Sequence, residues 1–426
     1  MAEYLKNGWP SRRRPAPHVA ETVSRILAEI EAEGLPAVRR WSKALDDWDP
    51  PSFVVTPEQV AKAAVEVADE LRESIEFARA QVAAFARQQR ATLTELEVRP
   101  LPGVVLGHRL VPVASVGAYA PGGRYPLIAS SIMTTVVPKL AGVRRVVAVA
   151  PPRGPGGIHP PQLYTMAHCG ADQILCLGGV QALAALAFGI EDHKPVEAVD
   201  LLVGAGNAYV AEAKRQLFGQ VGIDLLAGPT EVAVLADDSA DPRLVAADLL
   251  GQAEHGPDSP ALCITTSHRV GTAVLAAVDD WLTSWPTAEV AGVAWRDYGT
   301  VVVCESPEEA VRVSDAHGPE HLELHCADPD WYLRRLSNYG SLFLGTHATV
   351  AYSDKAIGTN HVLPTLGASR YTGGLWVGKF LKTVTYQRVT AEGSALVAPH
   401  AAAISDAELM YGHALTARLR LDPGFA

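Results

Sequence analysis

From Leu110 onward, short β-branched and apolar runs end one after another in Gly- or Pro-rich turns, and a helical pattern follows each turn. The run at 111–119 stops at Ala120-Pro121-Gly122-Gly123, and that at 145–150 stops at Pro151-Pro152. The run at 171–177 stops at Gly178-Gly179, and that at 198–203 at Gly204-Ala205-Gly206-Asn207. Strand, tight turn and helix in this order constrain the chain to parallel, doubly wound sheets with ligands at strand ends. The alternation resumes after Gly228-Pro229, with strands at 231–236, 261–266 and 300–304 and a helix opened by Asp241-Pro242 that reaches about His255. Strand-like runs at 321–325 and 341–344 follow. These are two α/β units, and the halves resemble each other in texture.

Helical spacing of Val23, Ile26, Leu27 and Ile30 predicts a helix within 17–47. Thr56-Pro57-Glu58-Gln59 is a helix start with a Thr cap, and its helix is expected to run to about Arg90. Beyond Gly378 the chain reads as helical, ending in an amphipathic tail from Asp406 to about Leu421. The expected segments are an N-terminal helical region over 1–109 joined to the first unit, a nucleotide-binding α/β domain over 110–230, and a second α/β segment over 231–319 that packs with the N-terminal region. A return segment over 320–375 and a C-terminal helical tail over 376–426 complete the division.

The chain has 426 residues, 48% of them hydrophobic, ample for two buried cores. A net charge of −11 and a pI near 5.7 argue against a nucleic-acid or anionic-membrane partner. Arg12, Arg13 and Arg14 form a local basic cluster, read as a solvated arm. No basic-then-apolar leader and no bilayer-length apolar run is present, so a cytoplasmic location is expected. Cys169, Cys176, Cys263, Cys304 and Cys326 are scattered, odd in number and mostly inside apolar runs, which predicts buried reduced thiols.

Three polar islands interrupt the apolar texture. Gly318-Pro319-Glu320-His321-Leu322 sets a carboxylate beside an imidazole, two groups that move protons near neutral pH. Gln252-Ala253-Glu254-His255-Gly256-Pro257-Asp258-Ser259 puts Gln252 and His255 on one helix face near its end. Asp354, followed by Gly358-Thr359-Asn360-His361, adds a carboxylate. A mixed N/O set of this kind suits Zn²⁺ and tolerates Mn²⁺, while a His favoured by a helix dipole is the plainer reading of the second island taken alone. Gly204-Ala205-Gly206-Asn207-Ala208-Tyr209 misses the dinucleotide fingerprint, because Tyr209 stands where the third glycine belongs; a generic anion-binding turn survives.

Taken together, the islands resemble the histidinol dehydrogenase family over nearly the whole chain. The stretches that carry the resemblance are Ala120-Pro121-Gly122-Gly123, Gly178-Gly179-Val180-Gln181-Ala182, Gly204-Ala205-Gly206-Asn207, Ala227-Gly228-Pro229-Thr230-Glu231, the Gln252–Asp258 and Gly318–His321 islands, and Gly358-Thr359-Asn360-His361-Val362-Leu363-Pro364. The resemblance implies two doubly wound, incomplete Rossmann-like domains, an intertwined homodimer, and oxidation of a primary alcohol to a carboxylate with two NAD⁺. It implies zinc ligands at Gln252, His255, Asp354 and His413, the last reaching the partner subunit from the tail. It implies catalysis by Glu320 and His321, substrate contacts at Thr230, His361 and Glu408, and NAD contacts at Tyr119, Gln181 and Asn207.

Two departures bear on the substrate. Thr230 replaces a usual Ser. In Arg370-Tyr371-Thr372-Gly373-Gly374-Leu375-Trp376-Val377-Gly378-Lys379, small Ser-rich residues and an acidic residue at the Lys379 position are what histidine-making members usually carry. A lysine disfavours cationic histidinol and favours an anion. The stretch is similar to the branch that oxidises 2,3-dihydroxypropane-1-sulfonate to 3-sulfolactate, with Arg370, Thr372 and Lys379 as sulfonate donors. Arg370 also occurs in ordinary members, and Lys379 with Lys382 has the alternative reading of a solvated face. Histidinol oxidation, and a catalytically idle metal- or nucleotide-binding homologue, are the other readings.

Overall fold

A computed structural model describes residues 2–9 and 17–422; the Arg12–Arg14 cluster lies outside them. The fold is α/β. Its strands are β1 (Glu3–Lys6), β2 (Leu96–Leu101), β3 (Val104–Pro112), β4 (Ser115–Tyr119), β5 (Arg145–Ala150), β6 (Gln173–Cys176) and β7 (Leu201–Val203). They continue as β8 (Gly222–Ile223), β9 (Val232–Ala236), β10 (Ala261–Thr265), β11 (Gly299–Val303), β12 (His321–His325), β13 (Ser341–Leu344) and β14 (Leu381–Val389).

The first unit is a parallel sheet in the order β6-β5-β4-β7-β8. The second is β11-β10-β9-β12-β13, also parallel, with β1 added antiparallel at the β11 edge. Both sheets therefore have one plan: three strands wind one way from the first strand of the unit, then two wind the other way. The winding reverses between β4 and β7 in the first sheet and between β9 and β12 in the second. Such switch points open crevices at strand ends. The strands are buried on both faces, as parallel sheets require.

The N-terminal helix Pro17–Glu33 buries Val23, Ile26, Leu27 and Ile30 against the first unit's helices Gly179–Phe188 and Ala208–Leu217. The region expected to be helical over 17–47 forms two helices, Pro17–Glu33 and Leu35–Asp46, with Gly34 at φ 65° between them. The helix expected from Thr56 to about Arg90 is also two, Pro57–Val65 and Asp69–Ala91. The Thr56–Gln59 capping box forms at its start. Arg72 donates to the Ala64 and Val67 carbonyls at the break, satisfying acceptors a continuous helix would have used.

Two further expectations are corrected. The run at 111–119 is split: Val111 and Pro112 belong to β3, and only β4 enters the first parallel sheet. The stretch beyond Gly378 opens with strand β14, which pairs antiparallel with β3 from Leu381↔Pro112 to Val389↔Val104. Its Thr383-Val384-Thr385-Tyr386 run is β-branched and aromatic, a strand signal. The tail is then two helices, Ala391–Ala407 and Tyr411–Leu419, joined by a turn in which Leu409 takes φ 60°.

Candidate active site

Gly318 caps the helix Pro307–His317 in the left-handed conformation and, with Pro319, turns the chain into β12. This delivers Glu320 and His321 to the amino end of β12. Thr230 and Glu231 arrive at the amino end of the adjacent β9. In the second unit the polar residues thus gather where parallel strands begin, not at the carboxyl ends that ligands ordinarily take in such sheets. In the first unit Tyr119 and Gly204 lie at the carboxyl ends of β4 and β7.

Glu320 is buried, and its Oε2 accepts hydrogen bonds from Thr230 Oγ1 (2.6 Å) and the Glu231 backbone N–H (2.9 Å). Thr230 Oγ1 in turn accepts from Gln252 Nε2 at 2.6 Å. His321 is buried beside it, with Nδ1 3.1 Å from the Glu231 carbonyl and 3.5 Å from Glu320 Oε2. A carbonyl only accepts, so the Glu231 contact puts a proton on Nδ1. His321 Nε2 has no hydrogen-bond partner and lies 3.7 Å from Asp354 Oδ1, an ion-pair distance too long for a hydrogen bond. Burial opposes charge on this ring, but the Glu320 and Asp354 carboxylates outweigh it and hold the His321 pKa well above the usual imidazole range.

Asp354, at the end of the short helix Val350–Lys355, is also buried. Its Oδ2 is 3.8 Å from His255 Nε2, and its Oδ1 has no hydrogen-bond partner. His361 is fixed by two bonds, Nδ1 to the Asp354 backbone carbonyl (3.0 Å) and Nε2 to Ser130 Oγ (2.8 Å). The structure therefore gathers Thr230, Gln252, His255, Glu320, His321, Asp354 and His361 from four separated stretches of sequence. The donor chemistry fits a small divalent cation: an imidazole, a carboxylate with a buried unsatisfied oxygen, and an amide oxygen left over by the Gln252–Thr230 bond.

A cleft of about 520 Å³ leads away from this cluster. Thr230, His255, Gly256 and Pro257 line one side, and Tyr119, Gly179, Gly206 and Asn207 line the other. Tyr125 crosses it, donating to the Glu254 carbonyl. Asn207 caps the helix Ala208–Leu217 by accepting from the Tyr209 and Val210 N–H groups. Gly204 takes φ 120°, and a Cβ there would run into the Tyr119 carbonyl oxygen, so a side chain would collide with β4. Burial pushes the Tyr119 hydroxyl up to about 12, and it accepts from the Gly179 N–H. Gln181 is fully buried and donates to Asp46 Oδ2 at 2.8 Å.

The remaining sequence candidates lie elsewhere in the chain's own fold. Lys379 Nζ donates to Thr372 Oγ1 at 2.8 Å. Burial lowers its pKa, against the pull of Asp224. Arg370 is exposed beside Gly318. None of these three lines the 520 Å³ cleft. Glu408 and His413 are exposed on the tail, whose helices pack on each other, the first of them also on β14. The five cysteines are buried free thiols outside the cluster, with Cys263 pushed up to about 12 by burial. Sequence reasoning passed over Glu231 as a functional residue, although its backbone holds both Glu320 and His321. It also passed over Ser130, Asp46 and the buried group Asp248, Glu323 and His325.

The sequence model of the histidinol dehydrogenase family matches residues 11–421. The chain belongs to the histidinol dehydrogenase family. It is 49% identical to a histidinol dehydrogenase homolog of Shouchella clausii, over 99% of both chains. It is 45% identical to the sulfopropanediol 3-dehydrogenase of Ruegeria pomeroyi, over 98% of this chain and 96% of that one. A histidinol dehydrogenase of Cereibacter sphaeroides is 38% identical over 96% of this chain and 94% of its own. The crystal structure of histidinol dehydrogenase from Elizabethkingia anophelis superposes with a TM-score of 0.90 at 32% identity, covering 97% of this chain and 94% of that one. The chain is thus an oxidoreductase of this family, a dehydrogenase acting on an alcohol group, in a family that is NAD-dependent and usually binds zinc. Among the described residues no helix is long and apolar enough to cross a membrane.

Proposed function

We propose that this protein oxidises a primary alcohol through its aldehyde to a carboxylate, and that the alcohol is 2,3-dihydroxypropane-1-sulfonate, giving 3-sulfolactate. The observation that carries the reaction class is the buried Glu320–His321 pair, each member held by the backbone of Glu231. With its proton on Nδ1, and with a bound cation offsetting the Asp354 charge that otherwise keeps the ring protonated, His321 would present the Nε2 lone pair as the base that takes the alcohol proton. Glu320, oriented by Thr230 and the Glu231 N–H, keeps one carboxylate oxygen free to take a proton from the water that attacks the aldehyde. Gln252, His255 and Asp354 would hold the zinc ion, and the cleft between Thr230 and Asn207 would take the nicotinamide nucleotide, with Tyr119, Gln181 and Asn207 shaping it. When bound, zinc supplies a Lewis acid for the alcohol oxygen and offsets the Asp354 charge, and NAD⁺ supplies the hydride acceptor.

Lys379, although it does not line the 520 Å³ cleft, supports the sulfonate reading by its charge. A half-buried ammonium aligned by Thr372 suits an anion and repels the cationic histidinol. Arg370 and Thr372 would share its role, and His361, locked against Ser130, would orient the substrate. The similarity to a sulfopropanediol 3-dehydrogenase points the same way, while the similarity to histidinol dehydrogenases keeps histidinol as the second reading. NADH production by the purified enzyme on the two alcohols decides between them. Turnover of 2,3-dihydroxypropane-1-sulfonate at least about 100-fold above histidinol in kcat/KM is expected; turnover of histidinol alone removes the sulfonate reading.

The fourth zinc ligand, His413, and the substrate contact Glu408 would come from the partner subunit of a homodimer. Leu396, Ile404, Leu409, Tyr411 and Leu415 on the tail are exposed apolar residues in the isolated chain, as an exchanged segment requires. A cavity of about 290 Å³ lined by Gln252, His255, Trp285 and Asp354 offers the tail a place to enter.

A further inference from the structure

β12 carries more than the catalytic pair. His321, Glu323 and His325 alternate along one face of the strand, while Leu322 and Leu324 face the core on the other. Opposite, on the helix Pro242–Ala253, Asp248 lies one turn before Gln252. Helix and strand thus meet at two levels. One level is the site already described. The other, about 13 Å along the strand from His321, is the group Asp248, Glu323 and His325.

At this second level three ligand-type atoms converge within 4.8 Å of one another. His325 Nε2 is 3.4 Å from Asp248 Oδ2 and 3.6 Å from Glu323 Oε2. His325 and Glu323 are each 1% exposed. Neither nitrogen of the His325 ring has a hydrogen-bond partner, and neither does Glu323 Oε2. The outer carboxylate oxygens are satisfied: Glu323 Oε1 accepts from the Val350 N–H (2.8 Å) and Asp248 Oδ1 from Thr349 Oγ1 (3.2 Å). The inner oxygens are left facing the ring.

A shared proton does not account for this arrangement. One N–H divided between two carboxylates would be long to both, at 3.4 and 3.6 Å. An imidazolium between two ionised carboxylates would also leave the group with a net negative charge in a largely buried place. A divalent cation at the centre removes both difficulties. Metal–N and metal–O bonds of about 2.0–2.2 Å at tetrahedral angles set ligand atoms about 3.4 Å apart, close to the 3.4 and 3.6 Å between the His325 ring and the two carboxylates. Asp248 lines the 290 Å³ cavity, so water can reach the position to complete the coordination.

We infer that Asp248, Glu323 and His325 form a second divalent-cation site, of a kind that takes Zn²⁺ or Mn²⁺, distinct from the one at Gln252, His255 and Asp354. The ion ties β12 to the helix that supplies Gln252 and, through the Glu323–Val350 bond, to the helix that supplies Asp354. It therefore holds the catalytic cluster together from behind and touches no substrate.

Metal counting on the full-length protein tests this. The protein is stripped with a chelator, dialysed against excess Zn²⁺, and assayed for bound zinc by plasma mass spectrometry. About two ions per wild-type chain are expected, and about one in either His255→Gln or His325→Gln. A single wild-type ion that survives His325→Gln overturns the inference. A single ion that His325→Gln removes and His255→Gln keeps upholds it and overturns the zinc reading at Gln252, His255 and Asp354 instead. Should His325→Gln fail to fold, Asp248→Asn, at the more accessible ligand, is expected to weaken Zn²⁺ at one of the two sites at least about tenfold; two unchanged affinities in that variant overturn the inference.

Discussion

Glu231 shows how one residue can serve a site without touching substrate. Its N–H and carbonyl grip Glu320 and His321, and its own carboxyl accepts from the Leu366 N–H. Burial, and then the neighbouring Glu320 carboxylate, push its pKa from 4.5 up to about 8. The folded protein keeps this proton where the unfolded chain has lost it. The stability Glu231 contributes is full below pH 4.5 and disappears as pH rises to about 8. Glutamine mimics the protonated form and has no such slope. The melting temperature of Glu231→Gln relative to wild type should therefore climb between about pH 5 and pH 8 and level off above; a difference that is flat across this range would contradict the assignment. Glu320, His321 and Asp354 were legible in the sequence, because ionisable residues inside apolar runs are costly unless paired. Glu231 was not, since much of its work is done by backbone atoms any residue would offer. Glu323 and His325 were hidden for a different reason: alternation along β12 pairs them, but their partner Asp248 is remote in sequence.

At the scale of elements, the turn from β7 into the helix Ala208–Leu217 rests on a buried ion pair. Lys214 and Asp224 are bonded to each other with almost no exposure, and both grip Gly204: Lys214 Nζ donates to its carbonyl and Asp224 Oδ2 accepts its N–H, each at 2.8 Å. Removing one partner strands the other charge in the interior. Lys214→Met should cost about 3–5 kcal/mol in urea denaturation and raise the KM for NAD⁺ more than it lowers kcat. A loss below about 1 kcal/mol would mean that Asp224 finds other compensation. The strands of both parallel sheets were readable from their β-branched runs and Gly-rich ends. The breaks near Gly34 and Glu66 were not, because helical spacing of apolar residues continues across them. β14 was missed although its residues favour strand; what decides it is β3, a partner 270 or so positions away that no local window contains.

At the scale of the molecule, the arrangement of the two sheets makes the site. They repeat one strand order, a likeness the sequence hinted at, yet they present opposite ends to the shared cleft: carboxyl ends from the first, amino ends from the second. No motif announces which ends will meet, so the sequence named the residues but not the edge they share. The chain alone leaves His413 and Glu408 exposed on the tail. If the partner subunit supplies them, two inactive variants will complement. His321→Asn and His413→Asn, unfolded and refolded together in equal amounts, should recover about a quarter of wild-type activity, since half the dimers are mixed and each mixed dimer holds one intact site. No recovery would place His413 in the service of its own chain.

The division of labour between Glu320 and His321 is the claim on which the functional account turns, and counting NADH per alcohol consumed tests it most directly. Wild type should yield about two NADH and the carboxylate. Glu320→Gln should fall toward one NADH, with aldehyde recoverable by a carbonyl trap, because His321 still takes the alcohol proton while hydration of the aldehyde fails. Equal loss of both steps in Glu320→Gln, or a single NADH per alcohol from the wild-type enzyme, would contradict it.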